Sequence, residues 1–319
     1  MSPRSEGEFS QRAVPPTRTF DKAPATLPNL LKAALPALPV IGGLPGIKHT
    51  GDTAPDLVLE LKDVATDKDH LARYNAICEY QPADILPPLY PHFAAFGLHL
   101  SLMTDTAFPF APMGVVHLRN RLVQHRPIGL DETLDLSVKA HDLRSHPKGR
   151  LIDITTTATA ASEEEVWSET MTIFSRGQTG SGAEPTRPPL DGVDAPDGVV
   201  EWKLKGDLGR RFAAISGDRN PIHLYPLTAK AFGFPTNIAH GMWTKSRALA
   251  ALQNRLPKAY EVNVEFRKPV LLPSTVIFGS RANDGVTTFG VTSARNPPRA
   301  ERAGGAPSAE HLVGQVVPL

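Results

Sequence analysis

A single cysteine, Cys78, stands in 319 residues. One thiol excludes an intramolecular disulfide framework and a thiolate-rich metal site. It fits a reducing cytoplasm, which is the compartment expected for the chain, and Cys78 itself reads as a small core hydrophobe. Charge is scarce as well, with a net of +1 at neutral pH. So small an excess offers nothing to draw nucleic acid or an anionic membrane surface. Long hydrophobic runs are missing too. The most apolar early stretch, residues 27–47, is broken by Pro28, Pro36, Pro39 and Pro45 and carries Lys32. A membrane-spanning helix needs roughly 18 or more apolar residues without such breaks. The N-terminus shows no continuous apolar region, and Glu6 and Glu8 argue against a transit peptide. What is present is a hydrophobic fraction of 41%, enough for a sizeable core in a chain long enough for two domains.

Gly and Pro mark the joints. Residues 1–25, rich in Pro, Ser, Arg and Thr, read as a mobile tail. Residues 176–198 have no hydrophobic periodicity and read as a linker between a first domain, 26–175, and a second, 199–319. Residues 295–310 form another such interruption, after which 311–317 return as a strand. The two domains share one order of elements. In the first, a helical region over 88–104 precedes strands at 114–125, 133–142, 151–160 and 166–175, the last two around a Ser-Glu-Glu-Glu turn. In the second, a helix over 241–255 precedes strands at 261–270, 275–282 and 287–294, with Asn283-Asp284-Gly285 as a hairpin turn. Two local matches, Tyr74–Cys78 with Phe212–Ser216 and Val116–Arg121 with Val262–Arg267, fall at similar offsets and point to a duplicated fold. Strands wrapped on one long helix make an α+β architecture, and two copies side by side can share one sheet and hide an edge of each.

The chemistry gathers at Phe212–His223, F-A-A-I-S-G-D-R-N-P-I-H. Pro221 cannot continue a helix interior, and Asn220 can bond nearby backbone. Asp218 and His223 can therefore converge on a stiff turn and exchange protons with one water. The same residues also serve as an ordinary helix C-cap followed by a turn, and the local sequence leaves both readings open. A second feature, Asn237-Ile-Ala-His240-Gly241-Met242, opens an apolar helical run. Glycine there lets a ligand approach the backbone, and free first-turn N–H groups favour developing negative charge.

Together, F-A-A-I-S-G-D-R-N-P-I-H, Phe232-Gly-Phe-Pro and Ile238-Ala-His-Gly-Met242 resemble the R-specific enoyl-thioester hydratase signature of the MaoC-like dehydratase family. Asp218, Asn220, Pro221, His223, His240 and Gly241 all sit at motif spacing, and the match covers roughly residues 200–294. The resemblance implies a double hot-dog fold, in which two antiparallel sheets each wrap a central helix. The whole chain looks most like the mycobacterial-type 3-hydroxyacyl-thioester dehydratases, with a first hot-dog that lacks the catalytic pair. It implies Asp218 and His223 as that pair, Gly241 as the backbone donor to the thioester oxygen, Asn220 as a brace and His240 beside the substrate. The reaction implied is reversible hydration of a trans-2-enoyl thioester to the (3R)-3-hydroxyacyl thioester. Coenzyme A or acyl carrier protein would be the carrier within the substrate, without metal or other cofactor, in a monomer or homodimer. Some relatives add a serine on the central helix. Direct counting puts Leu249 there, so that role does not carry over, and Ser246 is the only serine on this helix.

Extending the first match sets Tyr80 opposite Asp218 and Ile85 opposite His223. Neither can do acid/base work at neutral pH, so one site is expected, with the first hot-dog widening the acyl pocket. Two other readings remain, a hot-dog thioesterase and a non-enzymatic acyl-binding subunit. His92, His99, His117 and His125 show no common ligand spacing and read as packed or surface residues. Trp167, Trp202 and Trp243 read as core. Arg247, Arg255, Lys258 and Lys268 are candidate phosphate contacts that read more simply as solvated surface.

Overall fold

The computed structural model describes residues 15–26, 28–29, 52–112, 115–177, 190–294 and 308–319. The first fourteen residues of the expected tail, residues 178–189 of the linker and residues 295–307 of the later interruption lie outside the described residues. The first half runs β1 (Thr17–Phe20), β2 (Val58–Val64), α1 (Lys68–Cys78), α2 (Tyr90–Ala94), α3 (Phe96–Met103), β3 (Val116–Gln124), β4 (Leu134–His146), β5 (Gly149–Ala160) and β6 (Glu165–Arg176). The second runs β7 (Val200–Leu204), α4 (Leu208–Ser216), α5 (Pro221–Leu224), α6 (Pro226–Ala231), α7 (Gly241–Leu252), β8 (Tyr260–Phe266), β9 (Ser274–Asn283), β10 (Val286–Ser293) and β11 (Glu310–Pro318).

Local sequence explains most of these. Along β5, Ile152, Ile154, Thr156 and Ala158 alternate inward while Thr155, Thr157 and Thr159 alternate outward, the two-residue period of a half-buried strand. Asp284 and Gly285 both take positive φ, 49° and 80°, so the β9–β10 turn twists with its strands. Helix α7 buries residues on every side, among them Trp243, Lys245, Ser246 and Leu249. A helix enclosed all round is a core element, and α7 is the central helix of its half.

The strands form one sheet in the order β1-β2-β4-β5-β6-β3-β8-β11-β10-β9-β7. Apart from β1 and its mirror-less place at the edge, each half repeats the other outward from the β3–β8 joint. That joint is antiparallel, with Arg119 opposite Glu265 and Leu122 opposite Val262. The two expected sheets are thus one continuous sheet, and the joint pairs an edge of each half. The duplication extends to the helix ends. Glu79 caps α1 and Gly217 caps α4, both left-handed, with φ of 58° and 78°. Each cap lies five residues past its member of the Tyr74–Phe212 match. This is the double hot-dog fold.

The structure corrects four expectations. Thr17–Phe20, inside the presumed tail, pairs in parallel with β2. Strands β2 and β7 and helix α1 were not anticipated, because short strands and a weakly amphipathic helix carry little periodicity. The helical region over 88–104 divides at Ala95 into α2 and α3. The end of the linker is held down, with Ala195 N–H donating to Glu310 Oε1 at 2.6 Å and Arg267 Nη2 donating to Val193 O at 2.6 Å.

Helix α7 is also tied to the other half. Tyr74 donates to Ser246 Oγ at 2.9 Å, and Trp243 Nε1 donates to Ile77 O at 3.0 Å. Within the first half, Trp167 donates to Pro88 O at 2.7 Å. These tryptophans, Trp202 and Cys78 lie in the core as expected. Among the described residues no helix is long and apolar enough to cross a membrane.

Candidate active site

Asp218 follows the cap of α4, where Gly217 turns the chain. Its carboxylate folds back, with Oδ1 accepting the Asn220 N–H at 3.0 Å. Asn220 is the N-cap of α5, its Oδ1 accepting the Ile222 N–H at 3.4 Å, and Pro221 occupies the first helical position, where no N–H is needed. This turn carries His223 back over Asp218. The His223 Nδ1–H donates to Ile238 O at 2.9 Å, so Nε2 keeps its lone pair for the cavity that the ring lines.

His240 completes the group. Its ring stacks on His223 with centroids 3.7 Å apart, and Nε2–H donates to the Asp218 carbonyl at 3.0 Å. Its Nδ1 is enclosed without a partner. Both nitrogens are therefore turned to protein, and the ring acts on the geometry of its neighbours. The ring also lines the cavity that Asp218 and His223 line.

Burial pushes the His223 imidazole below its usual range, against a smaller opposing pull from Asp218. Burial, helped by His223, pushes His240 down to about 3. Both rings are neutral at pH 7. Burial alone would raise the Asp218 carboxyl. The His240 and His223 rings and the Asn220 N–H outweigh it and hold the group below the ordinary carboxylate range. The site thus holds an ionised carboxylate, whose side chain keeps 34% of its surface, beside a neutral imidazole.

Asp218, His223 and His240 bring one donor atom each within 4.8 Å of one another, a spacing a small cation could also bridge. Carbonyls already take His223 Nδ1 and His240 Nε2, and His240 Nδ1 is enclosed. Among the described residues of this group, an Asp218 oxygen and His223 Nε2 are left, short of the three protein ligands a resident catalytic metal ordinarily takes.

Gly241 begins α7, and no side chain caps that helix end. Its first-turn N–H groups therefore have no acceptor of their own in the helix. A Cβ on Gly241 would stand 3.1 Å from the Phe266 ring, so the glycine keeps this approach open. A second glycine acts on the pair from behind. A Cβ on Gly209 would lie 1.9 Å from His223 O. We expect Gly209→Ala to force α4 away from α5, lower stability by about 1–3 kcal/mol and reduce turnover through a displaced His223. Thermal melting and steady-state kinetics on the purified variant check this.

The cavity has a volume of about 360 Å³. The Asp218 pair lines it together with Phe212, Phe266 and, from the first half, Leu100, Met103 and Ile173. Lys268 also lines it. Arg247 is instead stacked over Trp202 at 4.5 Å and paired with Glu79, and Arg255 donates to Ser280 at 3.2 Å. Ser246, tied to Tyr74 and donating to Met242 O at 2.7 Å, is buried away from this cavity. In the first half, Tyr80 is buried among apolar residues and Ile85 is exposed. What sequence reasoning missed is the histidines. His92 and His117 line the same cavity, and no spacing signal reveals this, because they come from α2 and β3.

A MaoC like domain family model matches residues 194–292. The chain is 36% identical over 262 residues to 3-hydroxyacyl-thioester dehydratase X of Mycobacterium tuberculosis, covering 82% of this chain and 91% of that one. It is 44% identical over 69 residues to a 3-hydroxybutyryl-CoA dehydratase of Methylorubrum extorquens, covering 20% of this chain and 44% of that one. The crystal structure of M. tuberculosis HtdX superposes with a TM-score of 0.69 at 30% identity, covering 82% of this chain and 100% of that one. With its motif region inside the matched domain and 36% identity over 82% of its length to a 3-hydroxyacyl-thioester dehydratase, the chain belongs to the MaoC-like dehydratase family.

Proposed function

We propose that the chain catalyses the reversible addition of water to a trans-2-enoyl thioester, giving the (3R)-3-hydroxyacyl thioester. The observation that carries this reading is the Asp218 carboxylate beside the lone pair of His223 Nε2, in an apolar cavity shared with the open N-terminus of α7. In hydration, Asp218 and His223 hold a water between them and take one of its protons as its oxygen bonds to C3. The thioester oxygen gains negative charge against the Gly241 N–H, where a preorganised donor is worth most. The proton then returns to C2, and the pair ends as it began. Dehydration runs the same steps backwards. Asn220 braces the turn, and His240 keeps Asp218 and His223 in register. The names of the relatives, which describe dehydratases of 3-hydroxyacyl thioesters, support the same chemistry. The carrier, coenzyme A or acyl carrier protein, belongs to the substrate, and the β3–β8 joint suits a chain that works as a monomer or homodimer.

The test uses purified protein with crotonyl-coenzyme A and longer 2-enoyl-coenzyme A esters, following loss of the enoyl absorbance and the chirality of the product. No turnover at any chain length by a folded sample would sink the proposal. Free thiol in the same assay would mark ester hydrolysis instead. A pH profile sharpens the test. The base must be neutral, and burial lowers the His223 pKa. The acid limb of kcat/KM is therefore expected below the ordinary histidine value of about 6.5.

A further inference from the structure

Running from α7 across the joint into the first half, and reaching the same cavity through two histidines, is a buried polar chain that the hydration scheme does not use. Lys245, fully buried on α7, donates to Asn120 Oδ1 on β3. Asn120 Nδ2 donates to Glu169 Oε1 on β6 at 2.8 Å and to His117 Nε2 at 3.4 Å. The other Glu169 oxygen accepts from His92 Nδ1 at 2.6 Å. Every polar atom of Asn120 and both oxygens of Glu169 are thereby used. The chain ends in two ring nitrogens, His92 Nε2 and His117 Nδ1. Both rings line the cavity; His92 Nε2 shows no hydrogen bond among the described residues, whereas His117 is also bonded to the Arg119 backbone.

His92 keeps only 4% of its surface exposed, so Nε2 has no route to bulk solvent except through the cavity. Its neighbours in that wall are apolar: Phe93, Phe96, Leu100, Met103 and Ile173. They come from the half opposite the Asp218 pair and opposite Lys268, so this wall meets the acyl chain rather than its carrier. A plain hydrocarbon chain lying there would leave a desolvated ring nitrogen unpaired, at a cost of about 1–3 kcal/mol. A hydroxyl on the chain, donating to Nε2, would satisfy it.

Resting on the hydration reading, we propose that His92, oriented by Glu169, recognises a hydroxyl on the acyl chain beyond C3 by accepting its proton in a hydrogen bond, and that the preferred substrates are hydroxylated 2-enoyl thioesters. His92 is then a specificity residue, while Glu169, Asn120 and Lys245 position it.

The test compares trans-2-enoyl-coenzyme A esters of one chain length, unsubstituted or with a hydroxyl group at successive carbons beyond C4. The wild type is expected to favour at least one hydroxylated ester by about 10-fold or more in kcat/KM, since a site built to bond a hydroxyl discriminates against its absence. The ratio is expected to fall toward one in His92→Phe and to be partly restored in His92→Gln, which keeps a hydrogen-bonding group. Because the ratio is read, a general loss of activity cancels. Calorimetric binding of the same esters to Asp218→Asn gives the preference with the chemistry disabled. Turnover of plain esters with no preference at any position overturns the inference and leaves the hydration reading standing. A binding preference without turnover in the wild type does the reverse. A preference unmoved in both His92 variants also overturns it, since the network would then only tie the halves together.

Discussion

Asp218→Asn is expected to lower kcat for enoyl-coenzyme A hydration by about 10³-fold, within the range found for a positioned acid/base group, with little change in KM. The amide can still accept the Asn220 N–H through its oxygen, so the turn and the melting temperature should be kept. What is lost is the negative charge beside His223. His223→Gln is expected to cost a similar factor, because Gln can reach toward Ile238 O but offers no basic nitrogen. The double variant should be scarcely worse than either single one, as residues that act as a unit are far from additive. Additive losses would mean that the two groups handle different steps and would break the shared-water scheme. Retention of more than about a tenth of the wild-type rate in Asp218→Asn would remove Asp218 from the chemistry.

The second large effect concerns stability. Glu169→Ala removes the anion at the middle of the Lys245–Asn120–Glu169–His92 chain and leaves Asn120 and His92 facing a void. Breaking a buried charge network by deleting one partner costs about 3–5 kcal/mol, which for a protein of this size is a fall on the order of 10 °C in melting temperature. Glu169→Gln, which keeps shape and some hydrogen bonding, should lose less. The pH dependence carries a sign. Burial opposes ionisation of Glu169, but His92 and Lys245 outweigh it and bring the carboxyl down to about 2. A carboxyl lowered in the folded state stabilises the protein above the unfolded value of about 4.5, and that contribution is lost as pH falls toward 2. The gap between wild type and Glu169→Ala should therefore narrow over that acidic window in melting experiments. Lys245 acts in the opposite sense. Burial brings its ammonium down to about 7, so the unfolded chain binds the extra proton between about 7 and 10.5. The contribution of Lys245 rises with pH across that window. A gap that stays constant down to pH 2 would show that Glu169 is not held as a buried anion.

Much of this protein is legible one segment at a time. Alternation marks β5 and β6, the Asn-Asp-Gly turn marks the β9–β10 hairpin, and Gly217 followed by Asn220-Pro221 marks a helix stop and a rigid restart. Each rests on interactions within a few residues, and composition records those directly. The order of elements and two short matches were enough to infer duplication, which the mirrored strand order and the paired left-handed caps at Glu79 and Gly217 bear out. Strands β1, β2 and β7 escaped notice because short strands at or next to the sheet edges owe their state to the neighbours they pair with.

The sequence by itself determined the α+β class, the doubled architecture, and the presence of a carboxylate, an imidazole and a helix-opening glycine at motif spacing. Local backbone preference and hydrophobic period suffice for these, since they act over distances the chain covers in a few residues. Only the tertiary structure decided which atoms face the cavity. Ile238 O turns His223 Nε2 inward, and His240 spends its nitrogen on the Asp218 carbonyl. The same holds for the polar wall opposite, where α7, β3, β6 and α2 bring Lys245, Asn120, Glu169 and His92 into one hydrogen-bonded chain. Nothing local links those four residues. They meet because joining β3 to β8 sets the central helix of one half against the sheet of the other, and a buried charge persists only where such a meeting supplies its partner.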